Sequence, residues 1–333
     1  MKLTVTELKA LLHGAIRTEQ TPDGYLALYR FTEKQRAYYQ STNETKLRAL
    51  FFEKSLASSN IRLTFQTNSP FFSFDFRTKK ASSRKYYYFD VFVDGMLTVH
   101  QGEEDVLEGA GNLQVSLPEG EHLVSVYCPV LFSTEIANFT LADGATLSPV
   151  TLPRRILMLG DSITQGYDAR FSSGSYANLL TDMLHATSVN QGIGGEVFNP
   201  DMLDSDLGFA PDLITVAYGT NDFSKCTKED MRAAANEFYR RLRATYPGVK
   251  IFSILPIWRI DCTKAYDMRF EEAKQIARAA AEAVGAIVID GTTLVPHMRE
   301  FFADTKVLHP NELGFRFYTS ALYAAMKPHL DEV

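Results

Sequence analysis

The sequence predicts an α/β fold in two parts. A five-stranded parallel sheet flanked by helices is expected over residues 151–333, preceded by an antiparallel, jelly-roll-like β-sandwich over residues 1–150. Three observations predict it. Apolar residues alternate with period two up to about residue 150. From about residue 154, short apolar runs alternate with helical stripes. Between the two textures lies LADGATLSPVTLPRR, a linker with Gly and two Pro.

In the first part, IRLTF puts Ile61, Leu63 and Phe65 on one strand face, and FSFDF does the same with Phe72, Phe74 and Phe76. YYYFDVFVDGMLTVH carries Asp94-Gly95 between two β-rich runs, the signature of a tight hairpin. NLQVSLPEGEHLVSVY alternates, turns at Pro118-Glu119-Gly120 and resumes. Many short strands with no strong helical run point to a sandwich. Only VTELKALLHG, near the start, reads as helix. The aromatics of RKYYYFDVFV fit core and cross-strand pairs better than a sugar platform.

In the second part the expected strands are ILML (156–159), a short one near SVN (188–190), LITVAY (213–218), IFSILP (251–256) and AIVID (286–290). Their nearly continuous apolar character suits strands covered on both faces. Thr227 and Asp230 resemble a capping box ahead of a stripe of Met231, Ala234, Ala235, Phe238 and Leu242. Ala273, Ile276, Ala277, Ala280 and Val284 form a second stripe. Such strand–helix alternation gives a parallel sheet with right-handed crossovers.

Composition narrows the function. Of 333 residues, 45% are hydrophobic and 22% charged, the profile of a soluble globular protein. The net charge of −6, with no long basic run, argues against a nucleic-acid partner. The N-terminal stretch has no apolar core of signal-peptide length, and no run approaches the ~20 residues of a membrane span. A cytoplasmic location without membrane contact is therefore expected. Cys128, Cys226 and Cys262 are scattered without metal-ligand spacing and read as reduced, partly buried thiols.

In an open α/β sheet, ligands bind outside the carboxyl ends of the strands. The residues found there are Gly160-Asp161-Ser162, then NQGIGGE (190–196), GTND (219–222), PIWR (256–259) and, near the chain end, LHPNELGF. Gly-Asp-Ser alone arises by chance in about one chain in ten of this length, but GTND or HPN in about one in a hundred or fewer. All in this order, each placed after a strand or ahead of the last helix, form a strong signal. Acyl transfer needs a nucleophile, a base and donors for a developing oxyanion. Ser162 sits where a strand hands over to a helix, so its hydroxyl can project and its amide can face a bound oxygen. Position 164 is Thr, so the G-x-S-x-G elbow is not indicated. His309, ahead of Pro310, is the natural base. Asp161 and Asp222 are expected to brace these loops, and Gly192 and Gly194 to serve as turn residues.

This order of motifs resembles the SGNH family of GDSL-type esterases and acylhydrolases, over residues 155 to about 330. The two-part layout resembles some two-domain carbohydrate esterases. The resemblance implies a flavodoxin-like sheet and hydrolysis of an ester through an acyl-enzyme, without metal or cofactor. It also implies an oxyanion hole built from Ser162, the amide of Gly195 and the side chain of Asn221.

One position departs from the family pattern. Its Asp, three residues before the catalytic His, is Lys306 here, and the nearest upstream carboxylate is Asp304. A Lys cannot accept the imidazole N–H. Either Asp304 reaches His309 or a backbone carbonyl orients the ring, leaving a Ser–His dyad. Trp258, the sole Trp, is a candidate wall for a sugar or acyl pocket, and Arg259 a candidate contact for an acidic substrate group. The leading expectation is a serine esterase removing a small acyl group, such as acetyl, from a small-molecule or carbohydrate alcohol. The alternatives are an acyltransferase on the same scaffold and a non-catalytic carbohydrate-binding protein.

Overall fold

The computed structural model describes residues 1–42, 50–303 and 307–330. Its parallel sheet has five strands in the order Ala186–Gly192, Arg154–Gly160, Leu213–Ala217, Lys250–Ile254 and Ile287–Ile289. Every pairing in it is parallel. Ile156, Leu157, Met158 and Leu159 are all essentially inaccessible, as the apolar run requires of a strand covered on both faces. Helices Lys228–Thr245 and Phe270–Glu282 cover one face with the expected stripes, and Tyr176–Met183 and Glu312–Met326 pack in the core on the other. Thr227 caps the first of these, its hydroxyl accepting from the Asp230 amide at 3.1 Å. Among the described residues no helix is long and apolar enough to cross a membrane.

The first part contains two antiparallel sheets. One runs Leu12–His13, Arg62–Thr67, His122–Tyr127, Tyr86–Val93 and Met96–Glu104, with Leu147–Pro149 also paired to Arg62–Thr67. The other runs Arg17–Gln20, Leu26–Tyr29, Phe132–Leu141, Phe71–Lys80 and Glu108–Ser116. Ile61, Leu63, Phe65, Phe72, Phe74 and Phe76 meet in the core between them. Asp94 and Gly95 both take positive φ (50° and 79°), so the hairpin turns as its residue pair demands. The Pro118-Glu119-Gly120 turn, by contrast, carries the chain from one sheet to the other.

Two helices in this part went unmarked by periodicity: Glu33–Thr42 and Phe51–Ser55. The first buries only Gln35 and Tyr39, so no apolar stripe announces it. Both helices leave the sandwich. Phe31, Tyr39 and Phe51 pack in one core with Leu157, Val189 and Tyr218 of the α/β layer. Arg30, fully buried, donates to the carbonyls of Asn190 and Gly192 at 2.7 Å each. Burial lowers its pKa to about 9. The first part thus grips the carboxyl end of the strand Ala186–Gly192, which leads into the Gly-rich loop.

Candidate active site

Ser162 begins a four-residue helix at the end of the strand Arg154–Gly160. Asp161 caps that helix, its carboxylate accepting from the Ile163 amide at 2.9 Å. The helix stops at Gly166, whose φ of 98° lets the chain reverse, and the following loop brings Asp168 back toward the site. His309 enters from the segment ahead of the helix Glu312–Met326. Asn311 fixes that segment, accepting from the Gly314 amide at 2.9 Å and donating to the Glu300 carbonyl at 2.7 Å. Ser162 Oγ lies 2.8 Å from His309 Nε2, and His309 Nδ1 lies 2.9 Å from Asp168 Oδ2.

Ser162 and His309 therefore meet as the sequence suggests, and a carboxylate stands at the far ring nitrogen. Asp304 lies outside the described residues. Asp168, the carboxylate found within them, was not marked by sequence reasoning. Its position six residues after Ser162 belongs to no motif, and a left-handed φ of 67° turns its loop. Arg84, from the sandwich part, holds it through two parallel bonds, Nε to Oδ1 at 2.6 Å and a terminal nitrogen to Oδ2 at 2.7 Å. Burial pushes the Asp168 carboxyl up, but its bonds to His309 and Arg84 outweigh this and hold it at about 2. It stays ionised at neutral pH.

The Gly-rich loop lies on the other side of the serine. Gly195 has φ 93°, a conformation open to glycine. Gly192 and Gly194 do not take positive φ; they are needed for close approach rather than for turning. A Cβ on Gly192 would stand 2.5 Å from the Gln165 amide nitrogen, and one on Gly194 would stand 2.7 Å from the Tyr167 ring. The Gly194 amide donates to Gln165 at 2.7 Å. Lys54 donates to the Gly194 carbonyl at 2.5 Å and Lys225 to the Gly195 carbonyl at 2.9 Å.

Asn221, in the first turn of the helix Thr220–Lys225, donates to the Glu196 carbonyl at 3.0 Å and more distantly to Asp161, at 3.4 Å. Asp222 accepts from the amides of Phe198 and Gly219 at 3.0 and 3.1 Å, tying this helix to the Gly-rich loop. Burial raises the Asp161 carboxyl to about 6 and the Asp222 carboxyl to about 7. Trp258 is half-buried, stacked on His297 at 5.0 Å and edge-on to Phe302 at 5.5 Å. The Arg259 guanidinium is buried and committed to the protein. It donates to the Thr220 carbonyl at 2.7 Å and pairs with both oxygens of Asp261 at 2.5 and 3.1 Å.

A serine at a strand end, a histidine on its hydroxyl and a carboxylate on that histidine now stand beside a glycine loop and an asparagine. Residues 158–317 match the GDSL-like Lipase/Acylhydrolase family. No curated protein matches the sequence. Several solved structures share the architecture across both parts of the chain. The salicylyl-acyltransferase SsfX3 from a tetracycline biosynthetic pathway is 21% identical, with 96% of this chain and 94% of that one covered and a TM-score of 0.83. A putative GDSL-like lipase from Bacteroides ovatus is 18% identical, covers 98% and 97%, and has a TM-score of 0.72. A family two carbohydrate esterase from Cellvibrio japonicus is 17% identical, covers 96% and 97%, and has a TM-score of 0.62. At these identities the likeness establishes a shared fold: the GDSL-like α/β layer with a sandwich ahead of it.

Proposed function

We propose that this chain is a serine esterase that releases a small acyl group, acetyl foremost, from a carbohydrate or similar small alcohol through an acyl-enzyme. The observation that carries the proposal is the continuous chain from Ser162 Oγ through His309 to Asp168, with separations of 2.8 and 2.9 Å. Ser162 attacks the ester carbonyl while His309 Nε2 takes its proton. Asp168 keeps the proton of the neutral ring on Nδ1 and stabilises the imidazolium once it forms. The new oxyanion accepts from the amides of Ser162 and Gly195 and from Asn221, whose long contact to Asp161 is the one that gives way. His309 returns its proton to the leaving alcohol. Water, activated by the same histidine, then attacks the acyl-enzyme, and the acid is released.

The carbohydrate alcohol is supported by the family two carbohydrate esterase among the neighbours and by an acetyl xylan esterase of 14% identity from Butyrivibrio proteoclasticus. The acyltransferase neighbour favours a second reading, in which an acceptor alcohol replaces water on the same acyl-enzyme. A purely carbohydrate-binding role has less support, since it gives no use to an ionised carboxylate set behind a histidine on a serine. The test is a panel of p-nitrophenyl esters of increasing acyl length, with Ser162→Ala as control and products analysed with and without a sugar acceptor. Hydrolysis of short esters that vanishes in Ser162→Ala is expected. Equal turnover by the variant would overturn the serine mechanism, and acyl transfer outpacing hydrolysis would select the second reading.

A further inference from the structure

We infer that Arg84 is a positioning residue for catalysis: the sandwich part reaches into the active site and holds the acid Asp168 against His309. This rests on the proposed esterase reading. Arg84 presents Nε and a terminal nitrogen to the two oxygens of Asp168, the paired geometry in which a guanidinium fixes both the place and the plane of a carboxylate. One of those oxygens, Oδ2, is also the atom 2.9 Å from His309 Nδ1. A rotation of the carboxylate that broke the Arg84 pair would therefore move the same oxygen away from the imidazole.

The rest of the loop that carries Asp168 is held from the same side. The Ser172 hydroxyl donates to the Tyr88 carbonyl at 2.9 Å, and the Ser173 amide donates to Asp90 at 2.6 Å. Arg170 pairs with Glu104 at 2.5 Å, and the Phe171 ring stacks on His100 at 3.7 Å. Tyr88 and Asp90 lie in the strand Tyr86–Val93, and His100 and Glu104 in the edge strand Met96–Glu104. All four ties lie within seven residues of Asp168. They fix the backbone of the loop, and Arg84 fixes its reacting end. The sandwich is in this way a component of the catalytic apparatus, whatever else its outer faces do.

The test is a double-mutant cycle between Arg84→Ala and Asp168→Asn, read on a short p-nitrophenyl ester. Arg84→Ala is expected to lower kcat by about 10- to 100-fold, the cost of misplacing a catalytic group by roughly an ångström, with KM within about threefold of the parent. Because Arg84 acts through Asp168, the double variant should be no slower than Asp168→Asn alone. Added guanidinium should restore part of the Arg84→Ala rate, where sodium chloride at equal ionic strength does not. A double variant slowed by the product of the two single losses would overturn the inference. So would a rate loss carried by KM. If Arg84→Ala does not fold, Arg84→Lys, which keeps the charge but not the paired geometry, enters the same cycle with the same outcomes. If the parent hydrolyses no ester, the esterase reading fails by itself. The inference is then read from the downfield imidazole proton of His309 by NMR: loss of that signal in the Arg84 variant upholds it, and an unchanged signal overturns it.

Discussion

Replacing Asp168 with Asn tests the proposed catalytic chain at the link that no sequence motif marks. The amide keeps the shape of the carboxylate but not its charge. Its NH2 group can face Nδ1, which then carries a lone pair, so the ring proton moves to Nε2 and the nitrogen facing Ser162 can no longer accept a proton. Where a complete triad operates, that change costs up to about 10⁴ in kcat. The substitution also has a measurable effect on stability. The Asp168 carboxyl lies at about 2 in the folded chain against an ordinary 3.8. That difference corresponds to about 2.5 kcal/mol of stability, to order of magnitude. Because the folded value is the lower one, this contribution is complete above pH 4 and is lost as pH falls from about 4 toward 2. Asp168→Asn should therefore unfold at lower urea at pH 7, while the gap between variant and parent narrows as pH falls through that window. Initial rates on a short p-nitrophenyl ester, with urea unfolding at pH 7 and pH 3, check both expectations. Asp304→Asn belongs beside it, and Asp168→Asn is expected to be the larger loss. A near-parental kcat in Asp168→Asn together with a collapse in Asp304→Asn would refute the assignment.

Ser162→Ala should abolish turnover and leave the unfolding midpoint within experimental error, as measured by ester hydrolysis and urea titration. His309→Ala should be comparably damaging, and the Ser162→Ala/His309→Ala double variant no slower than either single one, because the two groups act as a unit. Asn221→Ala should lower kcat by about 10²–10³ at nearly unchanged KM, the signature of a donor used in the transition state; a change in KM alone would make it a binding group. Phe51→Ala, which empties a site only 2% exposed in the α/β core, should cost about 3–5 kcal/mol of stability in urea unfolding. A loss below about 1 kcal/mol would mean that the segment around Phe51 is not part of that core.

Most of the parallel strands were legible because burial on both faces leaves a strand few polar residues, as Ile156 to Leu159 illustrate; the strand Ala186–Gly192, buried yet rich in Ser, Asn and Gln, shows only a short apolar signal. Ser162, His309, Gly195 and Asn221 were legible because each lies in a short block at a strand or helix end. The helix Glu33–Thr42 was not, since its buried face holds one aromatic, Tyr39, and a polar residue, Gln35, and so makes no apolar stripe. Arg259 reads as a candidate contact for an acidic substrate group, yet its donors meet Asp261 and Thr220. That pairing depends on how the segment after Pro256 folds back, which no local pattern encodes. Asp168 was hidden for a related reason. The acid of the proposed triad is defined by where its oxygen stands relative to an imidazole nitrogen, and many chain positions can deliver an oxygen there.

The delivery used here has a structural consequence. Asp168 and Ser162 lie on one short stretch of chain, joined by a single helical turn and Gly166, so in the proposed triad nucleophile and acid come from one local segment. His309 comes from far along the chain and must fit between them. Asp168 is in turn bonded by Arg84, 84 residues earlier in the sequence, which on the proposed reading holds the acid in place. The same first part supplies Arg30 and Lys54, whose bonds to Asn190, Gly192 and Gly194 hold the Gly-rich loop opposite. It also supplies Phe31, Tyr39 and Phe51 to the core beneath that loop. The change of sequence texture near residue 150 therefore separates the cores incompletely: the sandwich has its own core, but the segment around Phe31, Tyr39 and Phe51 belongs to the α/β core. Excising residues 1–150 would leave Ser162, Asp168 and His309 in the chain but would uncover an apolar face and remove Arg84, Arg30 and Lys54, which contact the two sides of the site. On this argument the α/β part depends on the sandwich part for its active geometry as well as for its stability.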